Sequence, residues 1–201
     1  MLRRTKRPRA DPREAWREAA RAVGGKLEQG RKANADTVSV AQGPWTIVLE
    51  THVVHIGEAT VTYTRAKVLF FGQGDPRLRI RKRNVLDALS ERLGWGGAGP
   101  ARGPLAGRYV VKGRPERRLR LLLTPGLVAA LLPESSVKVR VGRAPRRDRK
   151  AHGPGVCLAE AYVSGVVAEP SRLVGLIAIA RETLAALEAS GMAARRPVLD
   201  A

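Results

Sequence analysis

The sequence predicts an α+β fold: an antiparallel sheet with an N-terminal helix and two strand-to-helix units packed on it. Three observations lead there. Apolar residues recur with helical spacing over 12–23 and again over 171–189. Between Thr37 and Arg83 the period changes to two, the spacing of half-buried strands. After residue 107, a strand-like run leading into a Leu-rich or Ala-rich helical segment occurs twice.

Residues 1–10 (MLRRTKRPRA) carry five basic residues and a proline among little that is apolar, and read as a disordered basic arm. A helix follows over 12–23. Asp11 suits the N-cap, Pro12 the first helical position, and Glu14 falls three residues after the cap. Trp16, Ala19, Ala20 and Val23 share one face, and Gly24-Gly25 ends the helix. In the period-two block, Trp45, Ile47, Leu49, Thr51 and Val53 lie on one side, and Thr46, Val48, Glu50, His52 and Val54 on the other. Turns at Gly57-Glu58 and at 72–76 separate TVTYTRAKVLFF from the preceding strand and from the strand Arg77–Arg83. The whole block reads as an antiparallel meander. A short helix over Val85–Leu93 and a flexible glycine-rich loop over 94–104 are expected next.

The first strand-to-helix unit runs from a strand over Arg108–Val111 into a helix over Glu116–Leu123 that continues past Pro125 to Leu132. Val137, Val139 and Val141 then alternate with Lys138 and Arg140 as a further strand. The second unit runs from a strand over Val156–Val167 into a helix from Ser171 to about Ala189, with Leu173, Leu176, Ile177, Ala180, Leu184 and Leu187 on one face. The expected organisation is the arm 1–10, one α+β domain over 11–190 and a flexible tail over 191–201.

Three short segments resemble a family of small bacterial proteins of unknown function: Gly43-Pro44-Trp45-Thr46 opening a strand, Tyr63-Thr64-Arg65 in the next, and Val110-Val111-Lys112-Gly113 before a Leu-rich helix. The resemblance, over about residues 12 to 190, implies a fold and no activity. This chain departs from the pattern in its arginine-rich stretches at 77–83 and 143–150.

Charge is the strongest functional signal. Lys and Arg number 37 against 18 Asp and Glu, a net charge of +19. Nearly all of it sits in residues 1–35 (+7), 77–83 (+5) and 138–150 (+6), whereas 151–201 carries −1. Such segregation suits a field directed at a polyanion. Arg77, Arg79, Arg81 and Arg83 would share one strand face, where guanidinium groups about 6.6 Å apart repel unless anions or carboxylates lie among them. Arg143, Arg146, Arg147, Arg149 and Lys150, expected on a loop, complete the candidate polyanion site. Competing roles for the arginines are pairing with carboxylates of a neighbouring strand and, on an edge strand, discouraging aggregation. Aromatic residues for stacking on bases are not expected beside the arginines, because Phe70 and Phe71 precede the turn.

Other chemistry finds less support. His52 and His55 fall on opposite faces of a strand, which keeps them from ligating one metal unless the chain bends. Cys157 lies five residues after His152 with Glu160 beyond, but its apolar neighbours mark a buried strand and a packed thiol. The glycines at 94–103 lack the Gly-Lys-Ser/Thr ending of a phosphate loop, and Gly72 and Gly74 precede a proline instead of a helix. One cysteine permits no internal disulfide. No apolar run reaches the roughly 18 residues of a membrane span, and no signal-peptide core follows the basic start, so a cytoplasmic location is expected.

The expected function is a non-catalytic binding or accessory domain, without cofactor or metal, that engages a polyanion: nucleic acid without sequence specificity. The alternative is a protein–protein interaction module, self-assembling through its sheet or its C-terminal helix.

Overall fold

The computed structural model describes residues 11–31, 35–84, 103–114 and 116–198. Helix α1 (Pro12–Val23) begins as expected, with the Asp11 carboxylate accepting the Arg13 backbone N–H at 3.0 Å and Pro12 in the first turn. It ends at Gly24, which takes φ 64°, a left-handed conformation that glycine adopts without steric cost. Ala15, Trp16, Ala19 and Ala20 are buried, and the Trp16 indole N–H donates to the Val167 carbonyl at 3.3 Å.

Strands β1 (Lys26–Glu28), β2 (Thr37–Gln42), β3 (Trp45–Ile56) and β4 (Ala59–Gly72) form a meander, each antiparallel to the one before. The meander stops there, not at residue 83. Strand β5 (Arg77–Lys82) pairs with β6 (Tyr109–Arg114) on one side and β7 (Lys138–Arg143) on the other. Strand β8 (Val156–Ser164) pairs with both β7 and β4, giving the order β1-β2-β3-β4-β8-β7-β5-β6. The physical reason lies in the composition of β8. Its run VCLAEA is buried at every position from Val156 to Ala161, which an edge strand cannot satisfy, so β8 takes the centre and separates β4 from β5. Strand β5 is therefore interior, and its arginines do not guard a sheet edge.

Helix α2 (Glu116–Leu122) and helix α3 (Pro125–Leu131) are separate. Thr124 caps the second by accepting the Leu127 N–H at 3.2 Å, and Pro125 opens it. Where a loop was expected after Arg143, residues Arg146–His152 form α4. The long α5 (Pro170–Ala189) buries all six predicted face residues, together with Ile179, Thr183 and Ala186. The expected flexible tail is ordered at its start: Met192 and Ala193 are buried, and β9 (Ala193–Ala194) pairs with the end of β4. The basic arm, the helix expected over 85–93 and most of the glycine-rich loop lie outside the described residues; Gly103–Leu105 makes one turn of 3-10 helix.

The sheet has two unlike faces. Ile47, Leu49, Val68, Phe70, Leu78, Ile80, Val139 and Ala159 point to the side where Trp16 of α1 and Leu173, Leu176 and Leu184 of α5 complete the main core. The alternate residues point the other way. At one end of that second side Ala144, Val156 and Leu158 pack with Leu69, Phe71 and Val198, and at the other Val110 is 5% exposed and Arg81 is half-buried.

Candidate polyanion-binding face

On this side, where among the described residues none of α1, α2, α3 and α5 packs and which is called helix-free below, the antiparallel register sets residues of neighbouring strands directly opposite one another. Lys112 of β6 faces Arg79 of β5, Arg79 faces Arg140 of β7, Arg140 faces Glu160 of β8, and Glu160 faces Lys67 of β4. Strands lie about 4.8 Å apart, so Lys112, Arg79 and Arg140 form three consecutive cations across the sheet. All three are exposed. Arg77 faces Arg114 one step along the same two strands, and Lys138 precedes Arg140 on the same face of β7.

Of the sequence-predicted residues, Arg77, Arg79 and Arg81 lie on this face of β5. Arg83 lies beyond the strand end, half-buried, and its backbone N–H donates to Arg108. Arg143 is drawn to the opposite end of β5 through Asp75, whose carboxylate meets Arg77 Nη2 at 2.9 Å and Arg143 Nε at 3.3 Å. Arg146, Arg147, Arg149 and Lys150 follow on α4. Arg149 turns inward to donate its Nε–H to the Ala144 carbonyl at 2.9 Å, whereas Arg146, Arg147 and Lys150 are exposed. Arg77 and Arg143 thus meet at the Asp75 turn, with Arg83 at the far end of β5.

The sequence reading missed the centre of the face. Arg65 of β4 donates to Glu50 of β3 through Nε at 2.8 Å and Nη2 at 2.5 Å, and to Glu160 through Nη1 at 3.1 Å. Lys67 reaches Glu50 at 2.9 Å and Arg140 reaches Glu160 at 2.9 Å. Burial pushes the Glu50 carboxyl up, but Lys67 and Arg65 outweigh it and hold it below the ordinary carboxylate value. The two carboxylates are consumed within the face and neutralise its middle, leaving the excess positive charge on the β5–β7 side. The alternation of its strand already sets Glu50 on the side opposite Ile47 and Leu49; the contacts of Arg65 with Glu50 and Glu160 required the strand pairing.

Beside this network a depression of about 210 Å³ is lined by His52, Tyr63, Arg65, Arg140, Glu160 and Tyr162. Burial, and then the Arg65 charge, lower the His52 pKa against the opposing pull of Glu50 and Glu160. Burial and Glu160 raise that of Tyr162, against Arg140 and Arg79. His55 lies on the other face of β3 from His52, its Nδ1 3.1 Å from Thr60 Oγ1 across the hairpin. Cys157 is buried in β8 against Gly72, and burial together with Asp75 pushes its thiol up, away from the reactive thiolate.

No protein-family model, curated protein or solved structure matches this chain. Among the described residues, no helix is long and apolar enough to cross a membrane.

Proposed function

We propose that this protein is a non-catalytic binding domain of the cytoplasm whose helix-free sheet face engages nucleic acid phosphates without sequence specificity. The observation that carries the proposal is the row Lys112–Arg79–Arg140, three exposed cations set side by side on adjacent strands, with the one carboxylate of Glu160 at its inner end, 2.9 Å from Arg140. Like charges at that spacing repel one another, and a phosphate lying between them converts the repulsion into attraction. Arg77 carries the positive surface to the Asp75 turn, where Arg143 shares the Asp75 carboxylate, and Arg146, Arg147 and Lys150 follow as exposed cations on α4. Arg side chains on rigid strands supply planar donors suited to phosphate oxygens.

Self-assembly has less to stand on. The apolar face of α5 is spent on the chain's own core, with Leu173, Leu176, Ile177, Leu184 and Leu187 at 0–1% exposure. The helix-free face would meet a second copy of itself with the same sign of charge.

The test is a salt series with nuclease-treated protein and labelled random-sequence duplex. Affinity should fall steeply as salt rises, and Arg79→Gln with Lys112→Gln should weaken binding and flatten the log–log slope by roughly 0.9 for each phosphate contact removed. Absence of binding at low salt would overturn the proposal.

A further inference from the structure

The aromatic residues that the sequence left away from the arginines come to them through the fold. Tyr63 of β4 and Tyr162 of β8 meet edge to face on the helix-free side, with ring centroids 5.6 Å apart and planes at 89°. Tyr162 pairs directly with Lys138 of β7, whose Nζ lies 5.9 Å from the ring centroid. Both rings border the depression described above, next to Arg140, which belongs to the cationic row.

The chemistry of the depression selects its occupant. At about 210 Å³ it is smaller than the roughly 300 Å³ and upward typical of sites for drug-sized molecules, so it suits one ring system. Glu160, 6% exposed, holds a carboxylate between Arg65 and Arg140, so the lining sets one anion against two cations and is less positive than the Lys112–Arg79 end of the row. Aromatic surface and guanidinium planes that stack are what an unpaired nucleobase uses. Bases inside a duplex already cover their faces and edges on each other and cannot enter.

We propose that the face recognises single-stranded nucleic acid, with one base held against Tyr63 and Tyr162 and the flanking phosphates on Arg140, Arg79 and Lys112. This rests on the polyanion reading above and adds a strand preference to it. A cationic strip beside an aromatic platform on an open sheet gives affinity for any base sequence, because every base has a π-face.

The experiment compares four ligands of equal length at one salt concentration: a random-sequence single strand, its duplex, a single strand of abasic sites and inorganic polyphosphate. The base-containing single strand should bind the wild-type protein about tenfold or more tighter than the abasic strand. Tyr162→Leu should remove most of that difference without changing affinity for polyphosphate, and Tyr162→Phe should retain it. Equal affinity for base-containing and abasic strands, or duplex binding as tight as single-strand binding, would overturn the stacking inference while leaving phosphate binding in place. Failure of every ligand at low salt, the abasic strand and polyphosphate included, would overturn the phosphate reading as well. The abasic comparison uses only the wild-type protein and so does not depend on any variant folding.

Discussion

Arg65 joins carboxylates from strands on either side of its own, and the sequence offered no means of pairing them. Glu50 lies fifteen residues before it and Glu160 ninety-five after it. Their contact exists because β8, formed late in the chain, pairs with β4. One consequence is a pH dependence with a fixed sign. Glu50 has a folded-state pKa below its ordinary 4.5, so the unfolded chain takes up the proton first as pH falls. Its contribution to stability is fully present above about 4.5 and is lost as pH drops through the lower folded value. Urea unfolding across that range should show stability falling with pH, and Glu50→Gln should flatten the fall; an unchanged slope would remove Glu50 from the account. A second residue-scale consequence lies at Gly72, where an added Cβ would stand 2.5 Å from Cys157 Sγ. Gly72→Ala should destabilise by about 1–3 kcal/mol, the usual cost of overpacking, and by clearly less in a Cys157→Ala background. Additive losses in the double variant would mean that the strain lies elsewhere.

At the level of elements, local chemistry made several sequence patterns legible, although α4 formed where a loop was expected. The Asp11-Pro12 start and the glycine stop of α1, the alternation of β3 and β4 and the apolar face of α5 all follow from short-range rules. The order of strands did not follow. Arg77–Lys82 alternates as a strand in either location, and only the demand of β8 for burial on both faces moves β5 away from β4. The same logic hid the tyrosines: Tyr63 and Tyr162 are ninety-nine positions apart, and pairing of their strands is what brings them together. A direct check on the layer arrangement contrasts two leucines. Leu184 of α5 is 1% exposed and Leu121 of α2 is 59% exposed. Leu184→Ala should cost about 2–5 kcal/mol in chemical denaturation, and Leu121→Ala should stay within about 0.5. Similar losses at both positions would contradict the placement of the core between α5 and the sheet.

Across the described residues, one layer holds α1 and α5 against the sheet and the opposite side of the sheet holds charge. A net charge of +19 attracts nucleic acid weakly wherever it is placed, so binding alone does not locate a site. Position distinguishes a site from a general field. Arg21 is an exposed residue of α1, in the helix layer, and Arg79 is an exposed residue of β5 on the helix-free face. Arg21→Glu and Arg79→Glu change net charge equally. The most direct measurement is the affinity of these two variants and of the wild-type protein for the same single-stranded oligonucleotide at one intermediate salt concentration. The Lys112–Arg79–Arg140 row predicts a loss of at least about tenfold for Arg79→Glu and little change for Arg21→Glu. Equal losses in the two variants would mean that the protein binds through its overall charge and that the sheet face is not the site.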